Sequence, residues 1–469
     1  MDKIKKIGLF SLIAFCMGDT IGAGIFSTLP LAVGIVGPGI MWAWVAAVVM
    51  TIFVNIPAIL PSSSLPCPSA GYTLPSRLLS PYVGFFELIA MMNYILILGL
   101  LGIFFANYVN ILIPGVPTTV IAVGVIVVFW VLNLFGVDSG TTVQNGIVIV
   151  LAFSLLAYIV TGFPQMSSEH LVPAQLIAPS GITFASFSTA LVLTFNCLGG
   201  CFTGCLVLGD RVKNPRRNLI LGGCLTALIV GFLFCMISIV TCGVSDWTKE
   251  LPLLGDIAKT FMPQSLWYVF MVGGALGAMV STINAVILSV GYRFDTMAAD
   301  GIFPTVFNKS CRFGTKPLSI AIAPVFGIVT ILLDPPLDAL MTACAVLGVL
   351  ASVLRLLPVL VLPKRYPHTY QRGIFTLPKP VMWVWVLAAI ALCIIVSIST
   401  ILETTGAIWV VVFGVLAVMY VYFILRVQYM KHKGTDIYKD MSAPYPEWDE
   451  KEDEYRREDE DSDRKTTAT

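Results

Sequence analysis

Asp19 lies near the middle of a long apolar run, residues 7–33, inside the stretch GDTIGAG. Placing an aspartate at the centre of a membrane-crossing helix costs about 2.5–3.5 kcal/mol on insertion scales. Such a residue needs a partner or a wet cavity, which makes it a functional-site hypothesis. A carboxylate facing a cavity pairs with a cationic amine, on the side chain of a basic amino acid or on a decarboxylated product. The competing reading is structural: Asp19 or Thr20 caps a half-helix by accepting from its orphan N–H groups. Glu87 and Arg355 fall toward the ends of their apolar runs, where long side chains reach polar surroundings.

Glycines cluster beside that aspartate and at one other place. Gly18, Gly22 and Gly24 sit near the middle of the first run, and Gly199 and Gly200 in NCLGG, followed by Gly204, near the middle of the sixth. Each glycine weakens a helix interior by about 1 kcal/mol relative to alanine. Non-helical backbone at membrane depth is tolerated only where it lines a cavity. Freed N–H groups there can hold a carboxylate and freed carbonyls an ammonium group, a pairing that suits a zwitterionic amino acid. Close helix packing is the competing use of small residues. Cys197, Cys201 and Cys205 recur every four residues and share one helix face. Thiolates favour soft metals, but no histidine or methionine cluster accompanies them, so they read as small buried hydrophobes. No metal or cofactor is expected. His170, His368 and His432 fall in loops, and no nucleophile, base and metal ligands converge, so the chain does not read as an enzyme.

The elements that must position these residues are apolar. Of 469 residues 57% are hydrophobic and only 12% charged, against about 25% charged in soluble domains. That excludes a soluble enzyme, a nucleic-acid binder and a disordered chain. Runs long enough to cross a bilayer fall at 7–33, 38–60, 82–112, 118–137, 143–163, 186–209, 218–242, 263–292, 318–333, 338–360, 381–402 and 405–425. They are continuous rather than alternating, so an all-α polytopic membrane protein of twelve transmembrane helices is expected, not a barrel. The first run is too long for a signal peptide's apolar core and is expected to stay in the mature chain. With both termini cytoplasmic, 26 of the 28 basic residues fall inside, Arg293 among them in the loop after span eight, and only Lys249 and Lys259 fall outside. Spans one and six then open two five-helix halves, residues 1–166 and 167–380, of opposite orientation because five is odd. Paired interruptions in such halves point to a carrier's central site. Residues 381–433 hold spans eleven and twelve. Residues 434–469 carry 13 acidic and six basic side chains, a net of −7 against +8 for the rest, and their composition predicts a disordered cytoplasmic tail.

Four motifs resemble the amino acid–polyamine–organocation family of transporters. GAGIF at 22–26 is similar to that family's G-S/A-G-I-F signature, DRVKNPRRN at 210–218 to its loop after span six, and MAADGIFP at 297–304 to its loop after span eight. PKRYPHTYQRGIFTLP is a weaker echo of the loop after span ten. The resemblance implies a LeuT-type 5+5 inverted repeat plus two extra helices, moving amino acids or their amine derivatives across the cell membrane by alternating access. It implies a carboxylate-binding turn at Gly22, Ala23 and Gly24, ammonium-binding carbonyls near Cys197 and Gly200, and gate aromatics among Tyr94, Phe195 and Phe202. Two departures bear on coupling: Thr203 replaces the glutamate of the family's span-six motif, and no lysine follows Val143-Gln144-Asn145, where the equivalent residue is about Leu151. Without that cation the substrate gradient itself would drive the cycle, so an exchanger is expected. The hydroxyls of Ser281 and Thr282 keep open a cation site, and with it a proton- or sodium-coupled symporter. A channel or a ligand-sensing membrane protein are the alternatives of another class. The expected partners are a small amino acid or amine and the lipid bilayer, with no nucleic acid; monomer and homodimer both stay open.

Overall fold

A computed structural model of the chain describes residues 6–135, 141–167, 170, 182–249, 251–312, 315–403 and 406–467. Among them the architecture is helical, with a single isolated bridge between Ile7 and Val212. The main helices are α1 Leu9–Ala23, α2 Leu29–Val36, α3 Ile40–Ser64, α4 Leu88–Leu112, α5 Thr118–Leu134, α6 Thr141–Gly162, α7 Phe184–Cys197, α8 Thr203–Val207, α9 Pro215–Val244, α10 Gln264–Val269, α11 Gly277–Ala299, α12 Pro317–Leu332, α13 Leu337–Arg355, α14 Lys379–Glu403, α15 Gly406–His432, α16 Ile437–Ser442 and α17 Pro446–Thr467.

Helix lies on each of the twelve apolar runs, but the runs do not all become long helices. Nine helical stretches are long and apolar enough to cross a bilayer among the described residues, or ten when the bent pair α7 and Gly199–Val207 is taken as one span. Thr118–Leu134 and Pro317–Leu332 have 17 and 16 residues, short of the roughly 20 that a 30 Å hydrocarbon layer asks for. The helix ends follow local chemistry. Thr183 and Ser186 form a reciprocal capping box at the start of α7, and Pro215, Pro317 and Pro446 open α9, α12 and α17.

Helix α1 lies at the centre of the bundle, against α6, α9, α11 and the Gly199–Phe202 turn. α3 packs along α9, while α4 is held by α5, α12 and α13. Large apolar side chains such as Val128, Leu132, Phe153, Val160, Val384 and Val418 remain exposed on the outer helices, an apolar exterior suited to lipid. α15 is the most peripheral of these, with 17% of its apolar window buried.

One end of the bundle gathers the chain start, the loops after spans two, six, eight and ten, and the tail. Ile7 N–H donates to Arg211 O and Lys213 N–H to Ile7 O, both at 2.9 Å. Arg77 pairs with Asp300 at 3.0 Å, and Arg365 donates to Arg77 O at 2.8 Å. At the other end Ser167 N–H donates to Gly243 O, and the Trp247 indole to His170 O. The expectation of a disordered tail is not met. α16 buries Ile437 and Met441, α17 buries Trp448, and the carboxylates of α17 meet the basic loop after span ten. Composition measures what a segment buries by itself; here the docking partner lies elsewhere in the chain. Residues 168–169 and 171–181, at the junction of the two expected halves, lie outside the described residues.

Candidate functional site

The first interrupted helix is not unwound. α1 runs through Gly18 and Gly22 without a break, then widens into a π-helical turn over Gly24–Thr28 before α2 begins. The sixth span does break: α7 ends at Cys197, a tight turn covers Gly199–Phe202, and α8 continues after a 40° bend. π-turns inside α-helices frequently mark functional positions. Here the displaced carbonyls are taken up by neighbours, Tyr108 OH donating to Phe26 O at 3.1 Å and the Cys197 thiol to Gly24 O at 3.5 Å.

Several of the glycines serve close approach. A Cβ on Gly22 would lie 1.8 Å from Thr282 Oγ1 and 2.5 Å from Ala278 O, so α1 and α11 touch through it. A Cβ on Gly200 would lie 2.8 Å from the Thr20 backbone, which brings the two interrupted segments into contact, and Gly24 faces Cys197 in the same way at 2.9 Å. Gly199 has nothing within 4 Å. It faces a cavity of about 100 Å³ between the two interruptions, lined by Asp19, Thr20, Gly24, Tyr94, Asn196 and Cys197 among others.

Asp19 is 6% exposed, and neither carboxylate oxygen has a hydrogen-bond partner. The capping alternative is therefore not what this carboxylate does. Thr20 turns back instead, donating to Cys16 O at 2.5 Å. Beside the cavity Tyr94 OH meets Thr203 Oγ1 at 2.5 Å, and Thr203 in turn donates to Gly199 O at 3.2 Å. The position where the resemblance led to a glutamate is thus a hydroxyl holding an aromatic ring over the cavity.

Sequence reasoning missed the charges behind that ring. Arg293 lies within α11 rather than in the following loop and is 1% exposed. Its Nε pairs with Glu87 at 3.2 Å, its guanidinium stacks on the Tyr94 ring 4.5 Å from the centroid, and its two terminal nitrogens have no partner. Glu87, 5% exposed, also takes a bidentate pair from Arg355 at 3.0 and 2.6 Å. Glu87 and Arg355 were expected to reach polar surroundings; both instead point into the bundle, and Arg355 lines the cavity. Arg293 directly follows the apolar run 263–292, and only the roughly two helical turns that continue α11 past that run to Ala299 would have revealed it.

The structure brings Asp19, Thr20, Gly24, Cys197, Gly200, Tyr94, Phe195 and Thr282 to one cavity. It does not bring Gly22, Ser281 or Phe202 there: Gly22 is a helix contact, and Phe202 packs on Gly223, whose Cβ would fall 2.3 Å from its ring. The Ala23 side chain and those of Val143, Gln144 and Asn145 lie outside the described residues. Thr282 donates to Gly18 O at 2.9 Å. Cys201 accepts from Thr20 at 3.6 Å and Cys205 donates to Leu219 O at 3.2 Å, so the cysteine row is divided among separate partners. None of the eleven cysteines, all among the described residues, forms a disulfide. Leu151 is fully buried in the core.

The sequence profile described as amino acid permease matches residues 7–425. Curated relatives are distant but span most of the chain. A D-serine/D-alanine/glycine transporter of Escherichia coli O6:H1 (strain CFT073) is 21% identical over 415 residues, 82% of this chain and 86% of that one. A branched-chain amino acid permease of Bacillus subtilis (strain 168) is 22% identical over 392 residues, covering 77% and 82%. The vacuolar cationic amino acid transporter 4 of Arabidopsis thaliana is 26% identical over 355 residues, 68% of this chain and 56% of its own length.

Proposed function

We propose, from the premise that the chain belongs to the amino acid permease family, that it is a secondary carrier of amino acids or their amine derivatives in the cell membrane. It is a multi-pass membrane protein of a family of permeases, not of enzymes. The reading is twelve spans, a LeuT-type 5+5 inverted repeat with two peripheral helices, alternating access, and both termini in the cytoplasm. The observation that carries it is the cavity between a π-turn in span one and a break in span six, with an unpaired buried carboxylate in its wall. The Ile7–Val212 bridge supports the inversion, since the start of span one and the end of span six meet at one end of the bundle.

In this reading Asp19 takes the substrate's ammonium group. Gly24 and the Cys197–Gly200 break hold its carboxylate and remaining polar groups, and Tyr94 and Phe195 close over it. The cycle is exchange. A buried carboxylate with no partner disfavours a dry, empty cavity, and among the described residues no lysine or arginine lines the cavity except Arg355, already committed to Glu87. Purified protein in proteoliposomes tests this. Preloading with unlabelled substrate is expected to accelerate uptake of labelled substrate, and Asp19→Asn is expected to weaken it by at least tenfold, the scale of one charge-assisted hydrogen bond, about 1.5–3 kcal/mol. Uptake driven by a sodium or proton gradient and indifferent to preloading overturns exchange. Unchanged affinity and rate in Asp19→Asn overturn the role of Asp19.

A further inference from the structure

Four ionisable side chains, Asp19, Glu87, Arg293 and Arg355, are enclosed in the membrane-spanning part at or behind the wall of the cavity. Glu87 takes two arginines, Arg293 and Arg355, so that group carries one positive charge in excess. An ionised Asp19 supplies the matching negative charge, and neither of its oxygens has a hydrogen-bond partner. Tyr94 lines the cavity together with Asp19 and is stacked on Arg293 by its face and tied to Thr203 by its hydroxyl, while the Gly199–Gly200 turn that Thr203 holds touches the Thr20 backbone beside Asp19. Two donors on Arg293, behind the Tyr94 ring, and both acceptors on Asp19, in the cavity wall that the ring shares, are thus left without partners.

We infer that Arg293, which does not line the cavity, is the counter-ion of Asp19 across Tyr94, and that it tunes the cavity to amino acids of zero net charge. The inference rests on the carrier reading and on Asp19 meeting the substrate ammonium. A zwitterion adds no net charge to a group of four that already sums to zero. Its ammonium answers Asp19, and its carboxylate lies on the side of the excess positive charge. A basic amino acid or a bare amine leaves the enclosed site with an unbalanced positive charge beside two arginines, and burying unpaired charge is strongly unfavourable. Arg293 therefore acts on selectivity through charge, from behind the aromatic ring, without touching the substrate.

The test is a ratio. Full-length protein in proteoliposomes is assayed with labelled glycine, L-alanine, L-serine and L-leucine against L-lysine, L-arginine and putrescine. The wild type is expected to favour the best neutral probe over the best cationic one by on the order of tenfold in kcat/KM. Arg293→Gln is expected to shift that ratio toward the cations by on the order of tenfold, and Arg293→Lys, which keeps the charge, to hold it. A wild type that prefers lysine, arginine or putrescine overturns the inference while leaving the carrier reading in place, as does an active Arg293→Gln variant with an unchanged ratio. Uptake of none of the probes overturns the carrier reading itself and the inference with it. Should Arg293→Gln fail to fold, the double variant Asp19→Asn, Arg293→Gln removes both halves of the pair and is expected to regain thermal stability. A double variant no more stable than the single one overturns the pairing.

Discussion

At the scale of single residues, glycines set how closely the helices approach, and one glycine gives a sharp expectation. Gly22→Ala forces a methyl group against Thr282 Oγ1 and against the Ala278 carbonyl, and that backbone cannot swing aside. Overpacking of this kind costs about 1–3 kcal/mol, which a thermal melt in detergent would register as a lowered midpoint. Gly34→Ala is the control. It has nothing within 4 Å and sits in α2, where exchanging glycine for alanine is neutral or stabilising by about 0.4–1 kcal/mol. An equal loss of stability in both variants would show that the α1–α11 contact is not as close as described. Residue identity made Asp19 legible from the sequence, because a carboxylate in the middle of an apolar run needs a partner or a wet cavity. The partner charge was not legible. A basic residue in the last turns of a helix and one in the loop beyond look the same to a charge count, and Arg293 lies on the buried side of that line.

At the scale of elements, the interruptions and the tail depart most from what composition implies. Glycine content predicts weakness, but whether the weakness becomes an unwound loop, a π-turn or a bend depends on which neighbour takes up the displaced carbonyls. Tyr108 and Cys197 do so for the first span. The tail folds because its charges are answered. Glu452 accepts from the first N–H groups of the short helix Pro367–Gln371, donated by His368 and Thr369 at 2.8 Å each, a carboxylate at a helix N-terminus. Asp449 accepts from Tyr366, Arg216 reaches Tyr455, and Arg372 meets both Glu458 and Asp459. Hydrogen bonds from Arg372 and His368 hold the Asp459 carboxyl below its ordinary value of 3.8. A lowered carboxyl pKa contributes to docking fully above the ordinary value and loses that contribution as pH falls through the lowered one. The tail is therefore expected to stay docked between pH 5 and 8 and to loosen only in acid below about pH 4. The exposed ion pairs make docking weaker in high salt. Limited proteolysis between Gly434 and Thr467 across pH and salt would read both effects. Release at neutral pH and low salt would contradict the described contacts.

At the scale of the whole molecule, the near-neutral net charge of +1 is a sum of two opposed parts that face one another. The body preceding residue 434 carries +8 and the tail −7, and the tail lies on the end of the bundle where Arg77, Arg216 and Arg372 gather. Charge placement also gives the orientation proposed above, since basic loops are retained in the cytoplasm. The contacts sort the loops independently of charge. Ile7 meets Val212, Arg77 meets Asp300, and the tail joins them, while Gly243 and Trp247 meet Ser167 and His170 at the opposite end. Both sortings separate Arg217 from Lys249. In cells carrying Lys249→Cys, a membrane-impermeant maleimide is expected to label the exposed new thiol directly. Arg217→Cys, exposed at the other end, is expected to react only after permeabilisation, with the wild type as background for the eleven native thiols. Labelling of Arg217→Cys in intact cells would reverse the orientation. Labelling of both would mean that the helix Pro215–Val244 between them does not cross the membrane, and would break the reading of two five-span halves.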